Sequence, residues 1–117
     1  MIEYKEDGSV ILSDPFGETL TITGTQAEID AAIQDFFPPS LVPMYKVKKY
    51  LAIIDMLDSV DGILASIPGL SGKLAVIDWN TAPNLVVFSP LALSVVAVLN
   101  LTRDDYYTLV RAANALP

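Results

Sequence analysis

Three aspartates in "IDMLDSVDG", Asp55, Asp58 and Asp61, are the only carboxylates grouped at a spacing that suggests chemistry. Spaced by three, they fall on adjoining turns of a helix, where their oxygens could gather a hard cation. A calcium loop of the EF-hand type needs acids at alternate positions and a later Glu, which this segment lacks. A solvated helix face shows the same spacing, and that is the reading adopted. "IPGLSGK", residues 67–73, has two glycines and a lysine but not the Gly-x-x-x-x-Gly-Lys-Ser/Thr order of a phosphate loop. It also follows a helical stretch rather than a strand, and reads as a turn between helices. Ser66, Ser71 and Ser89 have no base within reach in the sequence.

The chain has no cysteine and no histidine. Disulfides, thiolate metal sites and cysteine nucleophiles are therefore excluded, as is any Ser-His or Cys-His constellation. Catalysis would have to rest on carboxylates, Lys, Ser and Tyr, none of which is suitably grouped. The expectation is a protein that is not an enzyme, with no catalytic residues, no cofactor and no metal.

The net charge of -7 is distributed unevenly. Up to Tyr45 there are eight acids, from Glu3 to Asp35, against the single base Lys5; beyond it six bases balance six aspartates. Lys46, Lys48 and Lys49 are too few to make a basic footprint, so no nucleic-acid partner is expected. The start, "MIEYKEDG", lacks the basic and then apolar regions of a secretory signal.

The elements that must position these residues follow from periodicity. Turn signals at Glu6-Asp7-Gly8 and Asp14-Pro15-Phe16-Gly17 separate three β-branched runs, which predict strands near 2 to 5, 9 to 13 and 19 to 23. In the third, Leu20 and Ile22 face a covered side and the threonines face water. Thr25 with Glu28 forms a capping box opening a helix that carries Ile29, Ile33 and Phe36 or Phe37, and Pro38 and Pro39 stop it. "PPSLVP" reads as a stiff extended linker. From Tyr45 the spacing of Val47, Leu51, Ile54, Leu57, Val60, Leu64 and Ile67 predicts one long helix, and a second near 70 to 80 carries Leu74, Ile77 and Trp79 inward.

"LVVFSPLALSVVAVLNLT", residues 85–102, is the most apolar stretch, but Pro90 splits it and neither piece reaches the roughly 20 residues a membrane helix needs. No membrane partner is expected. Ser89 reads instead as an N-cap with Pro90 at the first helical position, opening a short helix apolar on nearly all sides and therefore central. Thr102 and Asp105 cap a last helix, with a Leu101 and Tyr106 staple, which turns Tyr106, Leu109, Val110, Ala113 and Leu116 inward.

The fold class is thus α+β: a short N-terminal three-stranded β-meander with one helix, then a C-terminal three- or four-helix bundle. The boundaries fall at 1–37 for the acidic part, 38–44 for the Pro-rich linker and 45–117 for the apolar bundle. An apolar fraction of 52% with a mean hydropathy of +0.46 is high for such a chain and calls for a helix-dense core together with apolar surface that meets a partner. The candidate anchors are Trp79 with its neighbour Asn80, Phe88 and Tyr107, Tyr107 being the more exposed of the two adjacent tyrosines.

Over most of residues 46–116, Ile77-Asp78-Trp79, Ser89-Pro90-Leu91, Leu101-Thr102 and a closing Leu109 with Ala112, Ala113 and Ala115 resemble small bacteriophage tail-region proteins encoded beside tail fibre or baseplate genes. The opening "DGSVILSDPFGETLTITGTQAEIDAAI" resembles the acidic, hairpin-forming start of such proteins. The pattern departs after Trp79, where the family continues with an acidic residue, an aromatic and a basic stretch, whereas "NTAPNLVVF" is neutral. The resemblance implies a non-enzymatic protein that binds a tail fibre or baseplate protein, as a virion component or an assembly factor. It would occupy the host cytoplasm during assembly and then the virion tail, with self-association as a further option. The alternative is a small acidic phage inhibitor of a host protein, which would bind a basic groove in a salt-sensitive way.

Overall fold

A computed structural model describes residues 1–117, which divide into two compact units, Met1–Pro38 and Pro39–Pro117. The protein is α+β. In the first unit β1 (Ile2–Tyr4), β2 (Val10–Ser13) and β3 (Thr19–Ile22) form an antiparallel sheet in chain order. The hairpins turn on Gly8 (φ 88°) and Gly17 (φ 87°), conformations that favour glycine. Each turn is tied by an aspartate. The Asp7 carboxylate accepts from the Ser9 amide (2.9 Å) and hydroxyl (2.6 Å), and Asp14 accepts from the amides of Phe16 (2.9 Å) and Glu18 (3.1 Å). The Ser9 hydroxyl bond, followed by its amide bond, holds the Asp7 carboxyl below the usual carboxylate range.

The register pairs Val10 with Ile22 and Leu12 with Leu20, which puts all four on one face; Ile11 lies opposite Thr21 on the other. Helix α1 (Gln26–Phe36) covers the first face. It opens with the capping box expected from Thr25 and Glu28. Ile29 joins Val10 and Leu12 in the core, with Ile22, Ile33, Phe36 and Phe37 around them. Leu20 stays 42% exposed: β3 is an edge strand, and α1 packs on the central strand β2, whose Leu12 opposite Leu20 is fully buried.

The second unit runs β4 (Leu41–Pro43), α2 (Met44–Ile53), α3 (Leu57–Ser66), α4 (Gly69–Thr81), β5 (Asn84–Val86), α5 (Pro90–Val98) and α6 (Arg103–Asn114). Three expectations are corrected here. The long helix from Tyr45 is two helices, because Asp55 takes a left-handed conformation (φ 59°) while the amides of Asp55 and Met56 bond back to the carbonyls of Ala52 and Leu51. Five helices therefore form, not three or four. The segment read as a linker contains β4, paired antiparallel with β5 so that Val42 lies opposite Leu85. The glycine-rich "IPGLSGK" is a turn only at Ile67 and Pro68; Gly72 and Lys73 lie within α4.

Packing follows from side-chain size. Helix α2 lies against α6 and α3 against α4. A Cβ at Gly72 would sit 1.8 Å from the Ile67 carbonyl oxygen, so α4 approaches the end of α3 as only glycine permits. The buried face of α4 is accordingly Gly72, Ala75 and Trp79, and the expected inward residues Leu74 and Ile77 point out, 50% and 55% exposed. Helix α5 is likewise not central. It starts as expected, with the Ser89 hydroxyl accepting from the Ala92 amide (3.2 Å) and Pro90 in the first turn, but only Val96 is buried and Val98 is 66% exposed. Asn100, at φ 57°, ends it in the way Asp55 ends α2. No helix is long and apolar enough to cross a membrane.

Candidate functional site

The second unit contains an apolar cavity of about 320 Å³, at the small end of the range that holds compact ligands. Six elements wall it. Met44, Val47 and Leu51 come from α2, Val60 and Leu64 from α3, Leu91, Val95 and Val96 from α5, and Tyr106 and Leu109 from α6. The end of α4 and strand β5 close it with Trp79, Ala82, Leu85 and Val86. Leu101 also lines it, so the residues expected as a hydrophobic staple, Leu101 and Tyr106, share one wall.

The polar atoms of this lining are committed or lie at the rim. The Trp79 indole N–H donates to the Asp61 carboxylate of α3 at 2.6 Å, and the Tyr106 hydroxyl donates to the Val87 carbonyl at 2.6 Å. Burial pushes the Tyr106 phenol up to about 12, so at neutral pH it is a donor. The Ser89 hydroxyl caps α5. Asp78 and Asn84 are exposed and stand at the edge of the cavity. A space so lined favours an apolar group. The lining contains no lysine and a single carboxylate, that of Asp78.

The four anchors expected from the sequence fall into two groups. Trp79 is buried and on the cavity wall; Asn80 is exposed beside it and accepts from the Lys48 ammonium (3.4 Å), which sits 5.0 Å from the indole centroid. Phe88 and Tyr107 do not line the cavity. They pack edge to face, centroids 6.0 Å apart, and the Arg103 guanidinium covers the Tyr107 ring at 4.5 Å. This corrects the expected exposure of Tyr107, which is 2% exposed against 4% for Tyr106. Enclosed between Phe88 and Arg103, it contributes packing.

The three aspartates part company. Asp55 lies in the break between helices, Asp58 in the first turn of α3, and Asp61 accepts the Trp79 indole, so they are not one solvated helix face. Nowhere do three acidic side chains converge as a metal site requires. The cavity itself escaped sequence reasoning because its walls come from six separate elements; the excess of apolar residues was its only trace. No family model, curated protein or solved structure matches this chain.

Proposed function

We propose that this chain is a non-enzymatic bacteriophage tail-associated protein that binds a tail fibre or baseplate protein, receiving an apolar group of that partner in the second-unit cavity. The observation that carries the binding role is the cavity: apolar walls, hydrogen-bonding groups committed internally, and exposed polar residues only at its edge. The tail assignment is supported by the resemblance of residues 46–116 to tail-region proteins, whose shared residues are caps, a packing Trp and small helix-contact positions. The acidic first unit would keep the protein soluble and away from other acidic surfaces while the second makes the contact.

The test joins location to the cavity. Gradient-purified particles and the crude lysate are compared by quantitative mass spectrometry, scaled to a known tail protein. In parallel, the chain is co-purified with each fibre and baseplate protein, as wild type and as Ala92→Phe, which fills the cavity from its α5 wall. A fixed ratio in particles marks a virion component, and presence in lysate alone, with a fibre or baseplate protein co-purifying, marks an assembly factor. In either case Ala92→Phe should lose the partner while keeping a cooperative melt. Absence from particles together with no fibre or baseplate partner overturns the tail reading; salt-sensitive capture by a basic host protein would then favour the inhibitor.

A further inference from the structure

Helix α4 turns an unusual face outward. Assigning heptad positions with Leu74 at a places Leu70 and Ile77 at d and Thr81 at the next a. Position e then holds Ser71 and Asp78, and g holds Lys73 and Asn80. All eight of these residues are exposed, whereas the b, c and f residues Gly72, Ala75, Val76 and Trp79 are buried or half-buried against the unit itself. The helix is therefore held by its back, and a complete seam with both flanks faces away. Leu70 is 69% exposed, Leu74 50% and Ile77 55%.

The flanking charges name the occupant. In a parallel pair of helices, a g residue meets the e residue five positions later in the partner helix. Lys73 at g and Asp78 at e are five apart, so two copies of this helix side by side make two symmetric Lys73–Asp78 pairs. Neither residue forms an ion pair within the chain. An antiparallel pair would set g against g and e against e, opposing Lys73 to Asn80 and Asp78 to Ser71, with no charge matched. The seam is less than two heptads long, but α4 is already folded by its own unit, so pairing need not nucleate a helix.

We infer that the outer face of α4 pairs in parallel with the same face of a second copy of this chain, forming a two-fold dimer. This inference does not rest on the tail assignment or on the cavity's occupancy, and of its residues Asp78 alone also stands at the cavity's edge. Contact around Leu70, Leu74 and Ile77 supplies the attraction, and Lys73 and Asp78 set the direction. With so short a seam the dimer dissociates on dilution.

Sedimentation equilibrium of the full chain over a wide dilution series tests it. Wild type should move from monomer to dimer, and Leu74→Glu, at an exposed position, should remain monomeric with an unchanged thermal melt. Lys73→Glu alone places two acids opposite each other at both pairs, and Asp78→Lys alone places two lysines there. Each should weaken the dimer about ten-fold. Mixing the two single variants restores opposite charges at both pairs, and should restore wild-type affinity as a heterodimer. A wild type that stays monomeric throughout overturns the inference, and so does a dimer that survives Leu74→Glu. A dimer indifferent to both charge reversals, with no rescue on mixing, overturns the parallel arrangement.

Discussion

The indole N–H of Trp79 donates to the carboxylate of Asp61 at 2.6 Å, tying α4 to α3 across the wall of the apolar cavity. The bond resolves what each residue does. Trp79 presents its apolar face to the cavity without leaving a buried donor unpaired, and Asp61 has a fixed partner.

Asp61→Ala should destabilise the second unit by about 1–2 kcal/mol, because the indole donor of a largely buried Trp then lacks an acceptor. Asp61→Asn, which keeps a carbonyl oxygen in place, should recover most of the loss. Urea melts of the three proteins check this, with unchanged slopes showing that only stability moved.

Two glycine-to-alanine changes should act with opposite signs. Gly72→Ala sets a Cβ 1.8 Å from the Ile67 carbonyl and must push α4 away from α3, at a loss of about 2 kcal/mol or more. Gly62→Ala, inside α3 with nothing within 4 Å of the new Cβ, should stabilise by about 0.5–1 kcal/mol. Thermal melts of the pair decide it, and the first change should also disturb Trp79 emission.

Tyr106 should make stability fall in strong alkali. Its folded pKa is raised by burial from the ordinary 10.0 to about 12, so between those values the unfolded chain releases a proton that the folded chain keeps. The contribution is complete below pH 10 and declines by about 2–3 kcal/mol as pH approaches 12. Comparing Tyr106→Phe with wild type across this window isolates it: the variant should begin about 1 kcal/mol less stable, having lost the bond to the Val87 carbonyl, and should lack this part of the decline.

The two capping boxes should each be worth about 1 kcal/mol. Thr25→Ala removes the acceptor for the Glu28 amide (3.2 Å), and Thr102→Ala that for the Asp105 amide (3.1 Å). Serine at either position should retain most of the stability. Amide exchange would show the first-turn amides of α1 or α6 losing protection individually, in separate variants.

What was legible in the sequence is what local chemistry decides. The hairpin turns around Gly8 and Gly17 and the caps at Thr25, Ser89 and Thr102 stand where the residue types place them. The break at Asp55 was not, because Ile53-Ile54-Asp55-Met56-Leu57 keeps helical spacing through a turn marked by neither Gly nor Pro. Strands β4 and β5 are three residues each and lie about forty positions apart, so neither signals the other. Helix α4 has apolar residues on both sides, and periodicity favoured Leu74 and Ile77 as its core. The close approach at Gly72 selects the smaller side instead. The cavity depends on all of these outcomes at once, which is why its Leu, Val and Tyr residues read as ordinary core.

Trp79 is the sole tryptophan of the chain, and its ring stands on the cavity wall with its polar edge held by a carboxylate. The protein thus carries its one indole, which can be excited selectively over its tyrosines, at the place where a guest would arrive. Intensity and emission wavelength would register occupancy, and a quencher would register how far solvent reaches it, without any label being added.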